Sequence, residues 1–239
     1  MRRSAYQFAA KIDRIIHKTV RGILGHSLDE EPPSVSGKLF EYSFALENVL
    51  KDLPRKGTKC KCLDVGCTDP NNCIPLVLSR LGCETYGVDI RKFELKCDNF
   101  GFLIQDIRRT SFPENYFDFI VAVSTLEHIG LSGRYGSDRD PQGDRKAVKE
   151  MARILKPSGK ILMTIPYGKA AIIVDPLHRI YDKRQLSELL GNLRVHKAEY
   201  YKRDRAGRWG ITTEKNARKE RYTIACLSLN KFVRRSSQR

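Results

Sequence analysis

The chain has no long apolar run and few aromatic landmarks. Apolar residues make up 41% of its 239 residues, yet no segment approaches the ~18 uninterrupted apolar residues of a membrane-spanning helix. Tryptophan occurs once, and neither an internal repeat nor a low-complexity tract is present. A chain of this length can instead hold one α/β domain with an extension. The core of such a domain is large enough to be stable without disulfide bonds or a structural metal ion.

The cysteine pattern argues against disulfides and metal. The chain has seven cysteines, an odd number, and free thiols in a reducing cytoplasm explain them most simply. Cys60 and Cys62 are expected to point to opposite sides of a strand, which makes them a poor metal clamp. Asp138, Asp140 and Asp144 lack the spacing of a calcium loop or an octahedral site. The sequence therefore predicts no metal site and a cytoplasmic location.

Acidic residues are scarce at both ends of the chain. The formal charge is +16, and residues 1–28 carry six Arg/Lys against one Asp. Residues 191–239 carry fourteen Arg/Lys against four acids, so 29–190 is nearly neutral at +1. Basic flanks attract nucleic acid, anionic lipid or an acidic glycan. Solvated charge that only helps solubility is an equal alternative.

The chain divides into three parts by composition. Residues 1–35 form an amphipathic helix and linker, 36–232 a catalytic-type domain, and 233–239 a basic tail. The helix, over 5–24, repeats apolar residues at helical spacing with cations between them. Such a helix either packs on the domain or makes peripheral contact with a membrane surface. It is not a secretory signal, because charges interrupt every apolar run.

Two turns in the domain suggest a nucleotide-like ligand. The apolar run at Cys62 ends in Asp64-Val65-Gly66, and a helix-compatible segment follows. Glycine is needed where the backbone turns sharply or approaches a ligand closely. Twenty-five residues after Asp64, a second apolar run ends in Asp89. An acidic residue at this place in a βαβ unit can accept hydrogen bonds from ribose hydroxyls.

Three more strands extend the pattern. The run 102–106 ends in Asp106, 116–123 is almost wholly apolar, and 159–165 follows a predicted helix over 145–155. Continuous apolar runs are typical of parallel strands covered on both faces. Two last strands, near 193–201 and 221–229, are expected to be antiparallel.

With this order of motifs, residues 55–190 resemble the class I S-adenosylmethionine-dependent methyltransferases. The stretch from Ser124 to Asp144, which reads STLEHIGL, GRYG, D and GD, resembles a subgroup of that family, as does HRIYD at 178–182. Genes of that subgroup often neighbour glycosyltransferase and polysaccharide genes. The resemblance implies a Rossmann-like, doubly wound α/β fold. Its sheet would have seven mostly parallel strands with an antiparallel last strand, and a helical extension would precede it.

The resemblance also implies S-adenosylmethionine as cofactor and a set of residues that hold it. Asp64 and Gly66 would shape the turn around the methionine part, Asp89 would take the ribose hydroxyls, and Asp106 would meet the adenine amine. The whole implied set is Asp64, Gly66, Thr68, Asp89, Ile90, Asp106, Ile107 and Ser124.

The turn departs from the family pattern. The family usually has a second and a third glycine, where this chain has Thr68 and Pro70. Thr68 could hydrogen-bond the cofactor carboxylate or crowd it, so a degenerate, non-catalytic site stays open. The same departures disfavour a nicotinamide-dependent dehydrogenase, whose pyrophosphate needs the second glycine.

The residues that act on the methyl acceptor are expected just after the fourth strand. Methyl transfer from a sulfonium mainly requires positioning and exclusion of water, and a hydroxyl acceptor also needs a base. His128 beside Glu127 is the first candidate, and His178 is the alternative. The remaining candidates, for binding the substrate, are Arg134 and Tyr135 in a Gly-rich loop that could form a lid, together with Arg179 and Tyr181.

The sequence therefore predicts O-methylation of a small-molecule or glycan acceptor, which could be lipid-linked. Residues 124–127 read Ser-Thr-Leu-Glu rather than the Asn/Asp-Pro-Pro-aromatic box of enzymes that methylate base amines. An RNA methyltransferase that uses the basic C-terminal region is the alternative enzyme. A non-catalytic cofactor-binding protein is the alternative outside enzymes.

Overall fold

The computed structural model describes residues 37–53, 59–69, 72–131, 135–136, 138–174 and 176–232. The predicted helix over 5–24, the tail 233–239 and Arg134 lie outside these ranges. In chain order the elements are α1 (Gly37–Asp52), β1 (Lys61–Val65), α2 (Ile74–Arg80), β2 (Glu84–Asp89), β3 (Phe100–Ile104), β4 (Phe117–Val123), a 3-10 turn (Leu126–His128), α3 (Gly143–Ile154), β5 (Leu155–Tyr167), β6 (Ile172–Val174), β7 (His178–Ile180), α4 (Lys183–Leu190), β8 (Leu193–Arg203), β9 (Trp209–Thr212), α5 (Glu214–Ala217) and β10 (Thr223–Lys231).

The central sheet has the strand order β3-β2-β1-β4-β5-β10-β8-β9. The first five strands of that order are parallel, and β10 runs antiparallel to both β5 and β8. The predicted doubly wound α/β class with an antiparallel end is therefore confirmed. Among the described residues the sheet has eight strands rather than seven, because the short β9 pairs antiparallel with β8 at the edge. A separate hairpin, β6–β7, follows β5.

Helices cover both faces of the sheet, so side chains on both faces of the central strands β1 and β4 are buried. Leu63 and Val65 of β1 belong to one core and Cys62 to the other, as the alternation of side chains along a strand requires. Each fully buried aliphatic or aromatic side chain contributes roughly 1.5–3 kcal/mol. The helices contribute Tyr42, Phe44, Val49, Ile74 and Leu78 from α1 and α2 on one face, and Val148, Met151, Ile154, Leu186 and Leu189 from α3 and α4 on the other.

The strand order reverses at β1. The chain passes from β1 outward to β2 and β3, then returns to β4 on the other side of β1 and continues to β5. Connections that leave in opposite directions open a crevice beyond the carboxyl ends of the strands, where ligands bind in open α/β sheets. Within the described part of the chain, no helix is long and apolar enough to cross a membrane.

The expected geometry of Cys60 and Cys62 is wrong. Their Sγ atoms lie 3.8 Å apart in the core, because residues two apart along an extended chain share a face of the sheet. Cys83, at the start of the neighbouring strand, lies beside them. The sequence argument against a metal clamp therefore does not hold for these cysteines.

The turn after β1 provides a test of the local backbone. Gly66 and Gly82 both have positive φ, at 72° and 87°. A Cβ on Gly66 would lie 2.6 Å from the Thr125 side chain, whereas a Cβ on Gly82 would have no atom within 4 Å. We expect Gly82→Ala to lower the free energy of unfolding by about 1–2 kcal/mol, the cost of left-handed backbone. Gly66→Ala should cost clearly more, since the Thr125 contact is added. Equal losses in urea denaturation would contradict the close approach at Gly66.

Candidate functional site

A cavity of about 350 Å³ lies at the carboxyl ends of β1, β2 and β4. The structure brings together there ten of the residues that the sequence analysis selected. They come from six different segments, as expected for the reversal point of a doubly wound sheet. These residues are Gly66, Asp89, Ile90, Asp106, Ile107, Ser124, Glu127, His128, Tyr135 and His178.

Asn72 connects the end of β1 to the start of α2. The Gly66 N–H donates to the Val88 carbonyl at 2.9 Å, which ties the turn to β2. The Asn72 side chain donates to Asp64 Oδ2 at 2.6 Å, and its own carbonyl oxygen accepts from the Ile74 N–H at the start of α2. Asp64 thus supports the turn from behind and does not line the cavity.

Asp64 is in an unusual electrostatic position. It is 1% exposed, and burial raises the pKa of its carboxyl to about 7, with the neighbouring Asp89 adding to the rise. The hydrogen bond from Asn72 opposes the shift but does not cancel it.

Asp89 carries the opposite shift. Burial alone would raise its pKa, but hydrogen bonds from Arg91 and Thr68 outweigh that effect and lower it. Arg91 donates through its backbone N–H, Nε and Nη2 at 3.0–3.1 Å, and Thr68 donates its hydroxyl at 2.8 Å. A carboxylate has about four acceptor positions, so these four bonds fill Asp89. Thr68, outside the cavity lining, acts on the site through Asp89.

Asp106 borders the cavity after β3. Its carboxylate accepts from the Arg108 N–H at 2.8 Å and from Arg108 Nε and Nη2 at 2.9 and 2.6 Å. Arg108 Nη1 also reaches Asp140 at 3.2 Å. Three bonds leave Asp106 one acceptor position, beside the buried Ile107.

Ser124 ends β4 in a strained conformation. Its φ is 45°, which is rare for a residue with a Cβ. Its hydroxyl donates to Glu41 Oε2 at 2.5 Å, and its N–H donates to the Thr164 hydroxyl at 2.9 Å, which in turn bonds the same Glu41 oxygen. Glu41, 2% exposed on α1, therefore braces the strand end from across the chain.

His128 and Glu127 form a pair at the other end of the cavity. His128 Nδ1 lies 2.5 Å from the Leu177 carbonyl, so Nδ1 carries the proton in the neutral ring, since a carbonyl can only accept. Nε2 then holds the lone pair and lies 3.7 Å from Glu127 Oε1. This arrangement can accept a proton at Nε2 and stabilise the resulting imidazolium.

Tyr135 connects the two ends of the site. Its ring meets the His128 ring edge-on at 5.2 Å, and the Arg91 guanidinium lies 4.6 Å from its centroid. The loop that carries it is closed at its base, where the Asp140 N–H donates to the Gly130 carbonyl at 3.0 Å. His178 also lines the cavity, 6.2 Å from the Tyr222 ring.

Arg179 and Tyr181 lie behind the cavity and do not line it. Arg179 is 4% exposed and donates to the Ile129 carbonyl at 2.6 Å. The Tyr181 hydroxyl donates to Asp144 at 2.9 Å, and Arg179 Nε lies 3.7 Å from the same carboxylate. Their position suits support of the segment after β4 rather than direct contact with a substrate.

Sequence reasoning missed several cavity residues. Arg91 follows Asp89 by two residues, so the general tendency of Arg to pair with carboxylates could have found it. Lys38, Tyr222 and, behind the wall, Glu41 carry no local signal, because contacts between distant segments bring them to the site. The missed lining residues include Lys38, Asp69, Arg91, Gln105, Thr125 and Tyr222.

The raised pKa of Asp64 makes stability depend on pH. Because its folded pKa of about 7 lies above the unfolded value, its favourable contribution is present at low pH and is lost as pH rises from about 4 to about 7. We expect the unaltered chain to lose stability relative to Asp64→Asn across this window, by at most about 1.4 kcal/mol per pH unit. Urea denaturation at a series of pH values measures it. Parallel curves for the two proteins would contradict the shift.

Curated relatives match part of the chain. The ubiquinone/menaquinone biosynthesis C-methyltransferase UbiE of Vibrio campbellii is 29% identical over 106 residues, which are 44% of this chain. The matched region spans about a third (35%) of that relative's length.

Solved structures match most of the chain. An S-adenosylmethionine-dependent methyltransferase from Methanosarcina mazei covers 84% of this chain and all of its own, with a TM-score of 0.51 and 14% identity. The Haemonchus contortus phosphoethanolamine N-methyltransferase 2, solved with phosphomonomethylethanolamine and S-adenosylhomocysteine, covers 77% of this chain and 52% of its own, with a TM-score of 0.52 and 14% identity. These likenesses show that the chain has the class I methyltransferase fold.

A family model covers the second half of the fold. Residues 88–231 match the family described as Caenorhabditis protein of unknown function, DUF268. The match begins in β2 and ends in β10, so it includes every strand end of the cavity except that of β1. Because it spans more than half of the 239 residues, this chain belongs to the DUF268 family.

Proposed function

We propose that this protein is an S-adenosylmethionine-dependent methyltransferase. The observation that carries the proposal is the row of groups along one crevice: the Gly66 turn, Asp89, Asp106 and Ser124 at four successive strand ends. Bound there, S-adenosylmethionine supplies an electrophilic methyl group. The fold and the cofactors named for the solved relatives are consistent with this assignment.

The groups along the crevice match the parts of the cofactor in order. Asp89 would hold the ribose hydroxyls, and the remaining acceptor position of Asp106 would take the adenine amine. Ile90 and Ile107 supply apolar walls for the adenine ring. Gly66 lines the cavity without a side chain, which leaves room for the methionine part.

Arg91 must move for this binding mode. Ribose hydroxyls need acceptor positions on Asp89, all of which Arg91 and Thr68 use. The Arg91 side chain is 41% exposed and supplies two of those bonds, so it is the group that can leave at least cost. Arg91 therefore competes with the ribose for Asp89.

We further propose that the acceptor is a hydroxyl of a small molecule or a glycan. His128 Nε2 can take the hydroxyl proton while Leu177 holds Nδ1–H and Glu127 stabilises the charge that forms. Tyr135, whose ring packs edge-on against His128, would cover this end and limit water. His178 and Tyr222 provide a further wall for a ring-shaped acceptor.

The RNA alternative has less support from the basic C-terminal region. Several of its cations are occupied within the fold rather than arranged as a stripe for phosphates. Ion pairs and ring contacts involve Lys197 with Glu199, Lys202 with Glu220, Arg208 with Asp204, Arg194 with Phe232 and Arg203 with Trp209.

Cofactor binding tests the proposal directly. We expect Asp89→Ala to weaken S-adenosylmethionine binding at least about tenfold, or about 1.4 kcal/mol, because the ribose loses its acceptors. Arg91→Ala should bind as tightly as the unaltered chain or more tightly, since it removes the competitor. Isothermal titration calorimetry measures both, with thermal unfolding as a check of the fold. Unchanged affinity in Asp89→Ala would refute the cofactor assignment.

Turnover tests the role of His128. Production of S-adenosylhomocysteine is followed by mass spectrometry with a panel of phenols, polyols and sugar-containing acceptors. His128→Gln should lower kcat about 100-fold or more, because the base is lost, and His178→Gln should act mainly on KM. A larger fall of kcat in His178→Gln would make that residue the base instead. No turnover by the unaltered chain would favour the non-catalytic alternative.

A further inference from the structure

Three buried cysteines converge at the end of the sheet opposite the cavity. Cys60 and Cys62 share a face because they are two residues apart along the β1 segment. Parallel pairing aligns Lys61 with Glu84, and the Glu84 N–H donates to the Cys60 carbonyl at 2.8 Å. Cys83 is therefore the neighbour of Cys60 across the strands. Backbone geometry, rather than flexible loops, brings the three side chains together.

The distances between the thiols suit coordination of one ion. Cys60 Sγ and Cys62 Sγ are 3.8 Å apart, and all three Sγ atoms lie within 4.8 Å of one another. Two thiolates bound to one ion at about 2.3 Å each are separated by about 3.8–4.0 Å. Small side-chain rotations would therefore place the three sulfur atoms around a common centre.

The burial of the three cysteines and the absence of other ligands nearby among the described residues indicate which kind of ion they would bind. The three residues are 0–3% exposed and lie in the apolar core beneath α1 and α2. Among the described residues, no further His, Cys, Asp or Glu joins the group, and residues 54–58, just before Cys60, contain none. The donor set is thus three soft sulfur atoms in a site that excludes water.

We propose that Cys60, Cys62 and Cys83 bind a soft monovalent d¹⁰ cation, Cu(I). Thiolates prefer Cu(I), zinc and similar soft ions over magnesium or calcium. Structural Zn²⁺ takes four ligands in a tetrahedron, and this site offers three. Coordination forms up to three Cu–S bonds, and each thiol that binds as a thiolate releases its proton to water.

Such an ion would clamp β1 to β2 at their amino ends. Cys62 lies two residues before Asp64 and four before Gly66, so the clamp would stiffen the strand that carries the cofactor turn. The inference rests on the thiol cluster alone and is independent of the proposed methyl transfer.

Anaerobic titration of the full chain with Cu(I), against a chromophoric Cu(I) chelator, tests the site. The titration uses a background in which exposed Cys73 and half-buried Cys97 are replaced by serine, which removes the accessible thiols. We expect one Cu(I) per chain and an affinity at least about 100-fold weaker in Cys83→Ser. Cys226→Ser is the matched control, because Cys226 is equally buried but is not a member of the cluster; its affinity should not change.

X-ray absorption on the copper-loaded background protein covers the case in which Cys83→Ser fails to fold. Three sulfur neighbours at about 2.3 Å support the site. Fewer sulfur neighbours, or no copper retained against the chelator, would overturn the proposal. Equal affinity in Cys83→Ser and Cys226→Ser would overturn it as well.

Discussion

The reversal of strand order at β1 is the constraint on which the site depends. Because β2 and β4 flank β1 and all three run parallel, their carboxyl ends meet at one edge. The connections on the two sides of β1 then run in opposite directions, and this opens the crevice. Gly66 lines that crevice without a side chain, and a Cβ there would meet Thr125. Asp89, Asp106 and Ser124 are attached to this edge by strand ends.

The neighbouring carboxyl groups of Asp64 and Asp89 have pKa values shifted in opposite directions. Asp64 is buried against one amide, and its pKa is raised to about 7, whereas Arg91 and Thr68 lower the pKa of Asp89. Two carboxyls side by side are easier to bury when one holds its proton near neutrality. Asp64 thus serves the turn, and Asp89 stays charged towards the cavity. The cost of keeping Asp89 charged is that Arg91 occupies the positions a ribose would use.

Family membership and fold leave the chemistry to the site itself. The class I fold hosts many substrates, so a fold match does not name an acceptor. The chain spans about a third of the length of the UbiE relative, so the activity of that relative is no direct guide. What favours a hydroxyl acceptor is local: a histidine whose Nδ1 bonds the Leu177 carbonyl and whose Nε2 lies 3.7 Å from Glu127 Oε1.

The sequence by itself determined the central parallel strands and the residues at their ends, but not the β6–β7 hairpin or β9. Apolar periodicity and turn residues are local signals, so Gly66, Asp89 and Asp106 were predicted at positions that the structure places on the cavity. Tertiary structure alone decided the contacts between distant segments. Glu41 meets Ser124 across 83 residues, and Cys83 joins Cys60 and Cys62 because of strand register. Such contacts follow from how helices and strands dock, and no periodicity in the chain encodes the docking.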